Sequence, residues 1–210
     1  VNIPTIKIQE IVGYYPVLKE FPCKDGELCP RDLAFLLAIA KHAQAKHVLE
    51  IGTYNGRTTL ELAKLDHVVS VETVDLPDEP VLDESHDDHH LIAKREVGSA
   101  YLGHPEARKI TQYRMDSKQL SHWPGLPHLD RDLFWIDGAH TYGACKWDSE
   151  TCLGMASHTK GTIVWHDCDP SHQGVVKAIE CLRQSQAHIE RYGPMDIRVI
   201  EETSLAYLKL

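Results

Sequence analysis

The chain has 210 residues, 42% of them hydrophobic, enough to bury a full core, and its length favours one domain covering 1–210. With 22 Lys and Arg against 31 Asp and Glu, a net charge of −9 argues against nucleic-acid and anionic-membrane partners. No run is long enough to span a membrane, the first ten residues lack a secretion-signal layout, and six scattered cysteines form no Cys-x-x-Cys pair, so a cytoplasmic protein is expected.

In chain order, residues 1–30 are punctuated by Pro4, Pro16, Pro22 and Gly26 and read as an N-terminal extension packed over a site. "CPRDLAFLLAIAKHAQ" follows as a largely buried helix, with Pro30 at its start and apolar residues at helical spacing. Strands are expected at 47–51, 67–75, 109–115, 133–137 and 162–167, and helices at 57–65, 91–102, 142–155 and 173–184. Two short strands around Glu202 and Thr203 form an antiparallel hairpin at the sheet edge. Strands alternating with helices predict an α/β fold, a Rossmann-like doubly wound sheet that is mostly parallel. "ESHDDHH", Glu84 to His90, is read as a solvated loop rather than a metal site. Trp135 and Trp165, each just before a strand-tip acid or histidine, are read as core.

In such a sheet, ligands bind beyond the carboxyl ends of the strands. The stretch "HVLEIGTYNGRTTLELAK" puts Glu50 at a strand tip and turns through Gly52, Tyr54, Asn55 and Gly56 into a helix. A pyrophosphate turn reads Gly-x-Gly-x-x-Gly, and Glu50 would oppose a phosphate, so the spacing suits a cationic ligand better. Asp75 ends the next strand and could accept both hydroxyls of a ribose; Glu72, on the opposite face, is the competing acid. Asp116 and Ser117 could border an adenine edge. Asp137 and His140 lie on the loop after the fourth strand, and His166 and Asp167 at the end of the fifth.

"VLEIGTYNGRTTLELA", "VDLP", "GHPEARKITQYRMDS", "LFWIDGAHTYGACKWD" and "GTIVWHD" together resemble class I S-adenosylmethionine-dependent methyltransferases, in the branch similar to catechol and macrolide-sugar O-methyltransferases. The resemblance implies seven strands with the last antiparallel, S-adenosylmethionine as cofactor and a small-molecule hydroxyl as acceptor, with a homodimer as the expected assembly. It implies that Glu50 and Gly52 line the methionine part, Asp75 holds the ribose, and Asp116 and Ser117 border the adenine. It also implies Mg²⁺ held by Asp137 and Asp167, with Cys168 where the family has Asp or Asn; thiolate is a poor Mg²⁺ ligand, and Asp169 or His166 are the substitutes. The other device for activating a hydroxyl is a histidine base, His140 or His166. Asp148 is read as a brace for the "HTY" loop. A nicotinamide-dependent oxidoreductase and a non-catalytic cofactor-binding protein are the alternative readings.

Overall fold

The computed structural model describes residues 3–19, 22–80, 82, 87, 89–122 and 130–210. Of the "ESHDDHH" run, 84–86 and 88 lie outside the described residues.

Strands β1 (Thr5–Ile6), β2 (His47–Ile51), β3 (Ser70–Asp75), β4 (Ile110–Arg114), β5 (Leu133–Ile136), β6 (Thr162–Trp165), β7 (Arg198–Ile200) and β8 (Ala206–Lys209) form one sheet in the order β1-β7-β8-β6-β5-β2-β3-β4. All neighbouring pairs are parallel except those involving β8, which runs antiparallel to β6 and β7. The helices are α1 (Ile8–Val12), α2 (Pro30–His42), α3 (Arg57–Ala63), α4 (His89–Lys94), α5 (Tyr142–Thr159), α6 (Gln173–Gln184) and α7 (Gln186–Tyr192).

The expected doubly wound fold is present, with three corrections. Among the described residues the sheet has eight strands rather than seven, because Thr5 and Ile6 pair with β7; β1, not the hairpin, is the edge beyond β7. The first part of the N-terminal segment therefore belongs to the far side of the sheet, and of the described residues up to Pro30 it is Asp25–Leu28 that reach the cleft. The helix expected over 91–102 ends at Lys94, because the amides of Gly98 and Ala100 are drawn onto the carbonyls of Tyr54 and Asn55, leaving a 3-10 turn over Ser99–Tyr101.

Alternation along β5 explains the two cores. Phe134 and Ile136 pack with α5 and α6 on one face, while Leu133 and Trp135 pack with α2 and α3 on the other. Trp135 and Trp165 are fully buried, as expected, and the indole of Trp165 donates to Ser149 Oγ at 2.8 Å. At the start of β2 the Asp132 carboxylate accepts the backbone amides of Lys46 and His47, which pins β2 beside β5.

Glu50, at the tip of β2, is fully buried and accepts hydrogen bonds from Thr59 of α3 and, at 2.5 Å, from Thr73 of β3. Its other carboxylate oxygen has no partner among the described residues. Burial pushes its carboxyl up to about 8, against the threonine hydrogen bonds. A carboxyl with a folded pKa above its unfolded value contributes a stability that is lost as pH rises from the unfolded pKa through the folded one. Glu50→Gln should therefore stabilise the ligand-free protein by roughly 1–3 kcal/mol at pH 9 and much less at pH 4.5, read as thermal or urea unfolding at both pH values.

Candidate active site

The loops after β2, β3, β4, β5 and β6 converge at the carboxyl end of the sheet around a cleft of about 460 Å³. Two close backbone approaches bring them together. A Cβ on Gly52 would lie 1.9 Å from the carbonyl oxygen of Asp137, so the β2 loop can touch the β5 loop only as glycine. A Cβ on Gly174 would lie 2.1 Å from the carbonyl oxygen of His140, and the same logic seats the start of α6 against that loop.

One end of the cleft is built from the β2, β3 and β4 loops. Asp75 Oδ2 accepts the amides of Thr53 at 3.1 Å and Tyr54 at 2.7 Å, while its Oδ1 lies 3.3 Å from Nε of Arg95. Burial raises the Asp75 carboxyl, and Arg95 and the Tyr54 amide only partly offset it. Arg95 is held in turn by the carbonyls of Leu76, Pro77 and Ile92. Gly52, Tyr54, Asn55, Asp116 and Ser117 all line the cleft, with Asn55 donating to Glu27 at 2.6 Å. Glu50 and Gly56 do not: Glu50 lies beneath the floor, and Gly56 packs against Tyr101. The competing acid Glu72 is turned away from the cleft into a buried ion pair, 2.5 Å from Arg131, and accepts a hydrogen bond from Tyr113. Asp148 borders the cleft beside Ser117, and burial pushes its carboxyl up to about 7. Its Oδ1 has no partner among the described residues.

The other end is a cluster of imidazoles and carboxylates. His166 Nδ1 lies 3.0 Å from Asp137 Oδ1 and 2.9 Å from Asp167 Oδ2, and its Nε2 lies 3.4 Å from Asp32. Asp32, buried in the first turn of α2, also accepts from the Ser204 hydroxyl at 2.6 Å. His140 Nε2 lies 2.9 Å from Asp167 Oδ2, and His172 Nδ1 lies 3.5 Å from Asp167 Oδ1. Asp167 itself holds a left-handed backbone conformation, φ +55°, which is uncommon for a non-glycine residue and concentrates at functional sites.

These contacts set the charge state of the cluster. Burial works to lower the pKa of His140, but hydrogen bonding to Asp167 and the charges of Asp167, Asp137 and Asp87 outweigh it and push it up to about 9. Burial likewise works to lower that of His166, and Asp137, Asp167 and Asp32 overcome it and hold it well above the usual range. Asp167 is kept far below the ordinary carboxyl range, since its bonds to the two histidines outweigh its own burial.

Sequence reasoning named Asp137, His140, His166 and Asp167, and these four sit together. It missed Asp32, Arg95 and His172. Asp32 reads as an ordinary acid in a first helical turn and His172 as a residue before a helix; nothing local marks either as facing the strand tips.

The donors fit a Mg²⁺ site poorly. Asp137 and Asp167 are present, but Cys168 is buried, its thiol pushed up to about 12 by that burial, and the His166 ring stands between the two carboxylates. Mg²⁺ demands oxygen donors and retained waters.

The model of a protein family described as a methyltransferase domain matches residues 49–168. Among solved structures, the SAH-bound methyltransferase PaMTH1 of Podospora anserina superposes with a TM-score of 0.61 at 17% identity, over 88% of this chain and 80% of its own. The O-methyltransferase of Bacillus cereus in complex with SAH gives 0.57 at 16%, over 89% and 84%. TomG of Streptomyces achromogenes, an O-methyltransferase involved in tomaymycin synthesis and solved with SAM, gives 0.54 at 18%, over 88% and 82%. No curated protein matches by sequence. Because the matched segment spans more than half of the chain and contains the strand-tip loops from Gly52 to Asp167, this chain belongs to the methyltransferase-domain family.

Proposed function

We propose that the protein is an S-adenosylmethionine-dependent O-methyltransferase acting on the hydroxyl of a small molecule. The observation that carries this reading is one cleft with two unlike ends: a glycine turn over a strand-tip carboxylate, and an imidazole–carboxylate cluster. Its volume of about 460 Å³ is that of a small-molecule site. Structural neighbours solved with SAM or SAH support the cofactor. The carboxylates also suit it, because S-adenosylmethionine carries a sulfonium and an ammonium.

Bound there, S-adenosylmethionine supplies an electrophilic methyl group. The chain's own residues then orient the acceptor oxygen in line with it, the step to which positioning contributes most. In this assignment Asp75 takes the ribose hydroxyls, Gly52 to Asn55 the methionine part, and Asp116 with Ser117 the adenine. The acceptor lies against Asp137, His140 and His166. In the ligand-free protein His140, its pKa pushed up to about 9, carries a proton near neutral pH, so it acts first as a hydrogen-bond donor that orients the acceptor oxygen, and the hydroxyl proton passes to the Asp137 carboxylate at the same end of the cleft as the methyl is transferred. Glu50 holds the glycine turn in place from below rather than touching the ligand.

Six cysteines without a disulfide support a reducing compartment, the cytoplasm, as the place of action. Among the described residues no helix is long and apolar enough to cross a membrane.

Two measurements test the reading. Isothermal titration should give micromolar binding of S-adenosylmethionine and none of NAD; the reverse would move the protein to the nicotinamide enzymes. Asp75→Ala should weaken S-adenosylmethionine binding by about 10–100-fold, the value of hydrogen bonds to a charged group, while Glu72→Gln leaves it unchanged. The opposite pattern would transfer the ribose to Glu72. Asp75→Asn, which keeps an acceptor for the amides of Thr53 and Tyr54, separates loss of the ligand contact from loss of the loop.

A further inference from the structure

The acceptor end of the cleft holds more nitrogen than methyl transfer through a carboxylate-bound Mg²⁺ requires. A ring nitrogen of His140, a ring nitrogen of His172 and an Asp167 carboxylate oxygen all lie within 4.8 Å of one another. His140 and His172 come from different loops, after β5 and after β6, and their ring centroids are 4.8 Å apart. His140 has its other ring nitrogen 3.6 Å from Asp87 Oδ2. A carboxylate behind a ligating imidazole is the arrangement that fixes ring orientation at metal centres. Asp169, itself held by the Ser171 amide and hydroxyl, lies 3.3 Å from His172 Nδ1, the nitrogen that also faces Asp167, so it holds the ring at the cleft until an ion takes that nitrogen.

We propose that His140, Asp167 and His172 form a binding site for a borderline divalent transition-metal ion of the Zn²⁺ or Co²⁺ kind, in place of Mg²⁺. The geometry calls for little movement. Ligand atoms about 2.0–2.2 Å from a tetrahedral ion stand roughly 3.3 Å apart; the rings already approach Asp167 at 2.9 Å on Oδ2 and 3.5 Å on Oδ1, so a turn of the carboxylate brings one oxygen to both. Two imidazoles and one carboxylate are a donor set for Zn²⁺, Co²⁺ or Fe²⁺, whereas Mg²⁺ requires oxygen. His166 belongs to the alternative triad with Asp137 and Asp167, which offers one imidazole against two carboxylates, and its Nε2 is turned toward the buried Asp32. His140, Asp167 and His172 all line the cleft, so an ion there keeps open positions for an acceptor oxygen. Any catalytic use of the ion rests on the methyl-transfer reading; its binding does not.

The test uses tag-free protein stripped with a chelator and dialysed against an equimolar mixture of Mg²⁺, Mn²⁺, Co²⁺, Ni²⁺ and Zn²⁺, with bound metal read by mass spectrometry. Retention of about one equivalent of Zn²⁺ or Co²⁺ and no Mg²⁺ is expected. His172→Ala and His140→Gln should each lower the affinity at least about 10-fold. The visible spectrum of the Co²⁺ form should show nitrogen ligation that His172→Ala abolishes. Metal-free melting curves check that both variants fold. Retention of Mg²⁺ alone, retention of no metal, or affinity unchanged in both variants would overturn the site. Titration of the stripped protein with S-adenosylmethionine keeps the two readings apart: cofactor binding without metal uptake overturns only the metal site, and metal uptake without cofactor binding overturns only the methyl-transfer reading.

Discussion

The contact between the backbone at Gly52 and the carbonyl of Asp137 is the constraint on which the rest of the site depends. A side chain at residue 52 would run into that oxygen, and the β2 and β5 loops would have to separate. With them in contact, the turn that caps Asp75 and the acid that begins the imidazole cluster share one cleft. A second contact of the same kind, Gly174 against the carbonyl of His140, brings the residue before α6 to the same place. Methyl transfer needs cofactor and acceptor side by side, and two glycines make that adjacency sterically possible.

Charge is organised around the same point. An acidic chain collects carboxylates at the strand tips, where each would be costly to bury alone. Asp75 is answered by Arg95 and by loop amides, Glu72 by Arg131, and Asp137, Asp167 and Asp32 by His166. Glu50, lacking a cation, is answered by two threonines and a raised pKa. The pairing separates acids with a structural duty, Glu72 and Glu50, from those that face the cleft. The same carboxylates raise the pKa of both His140 and His166 against the effect of burial in the ligand-free protein.

Much of this was legible in the residue order. Strands β2, β5 and β6 are largely apolar runs followed by polar residues, and a buried strand has few other ways to be written, while β3 and β4 carry polar residues within them. Their tips named Asp75, Asp116, Asp137, His140, His166 and Asp167, because a parallel sheet presents its ligands there. The short elements were not legible: β1 is two residues long, and α7 is a seven-residue helix that begins directly after α6. Neither has enough periodicity to stand out.

By itself, then, the sequence determined the alternation of strands and helices, the acids at the strand tips and the glycine turn, since these follow from local pattern and steric need. Only the tertiary structure decided which acid faces the cleft. Glu72 and Asp75 differ by three positions on one strand, and Arg131 and Arg95, far apart in the chain, claim one each. It also brought Asp32 and His172 to the strand tips, from the first turn of α2 and the residue before α6. Such convergence depends on how helices pack on the sheet, and packing is a property of surfaces that meet across the chain rather than of residues that follow one another.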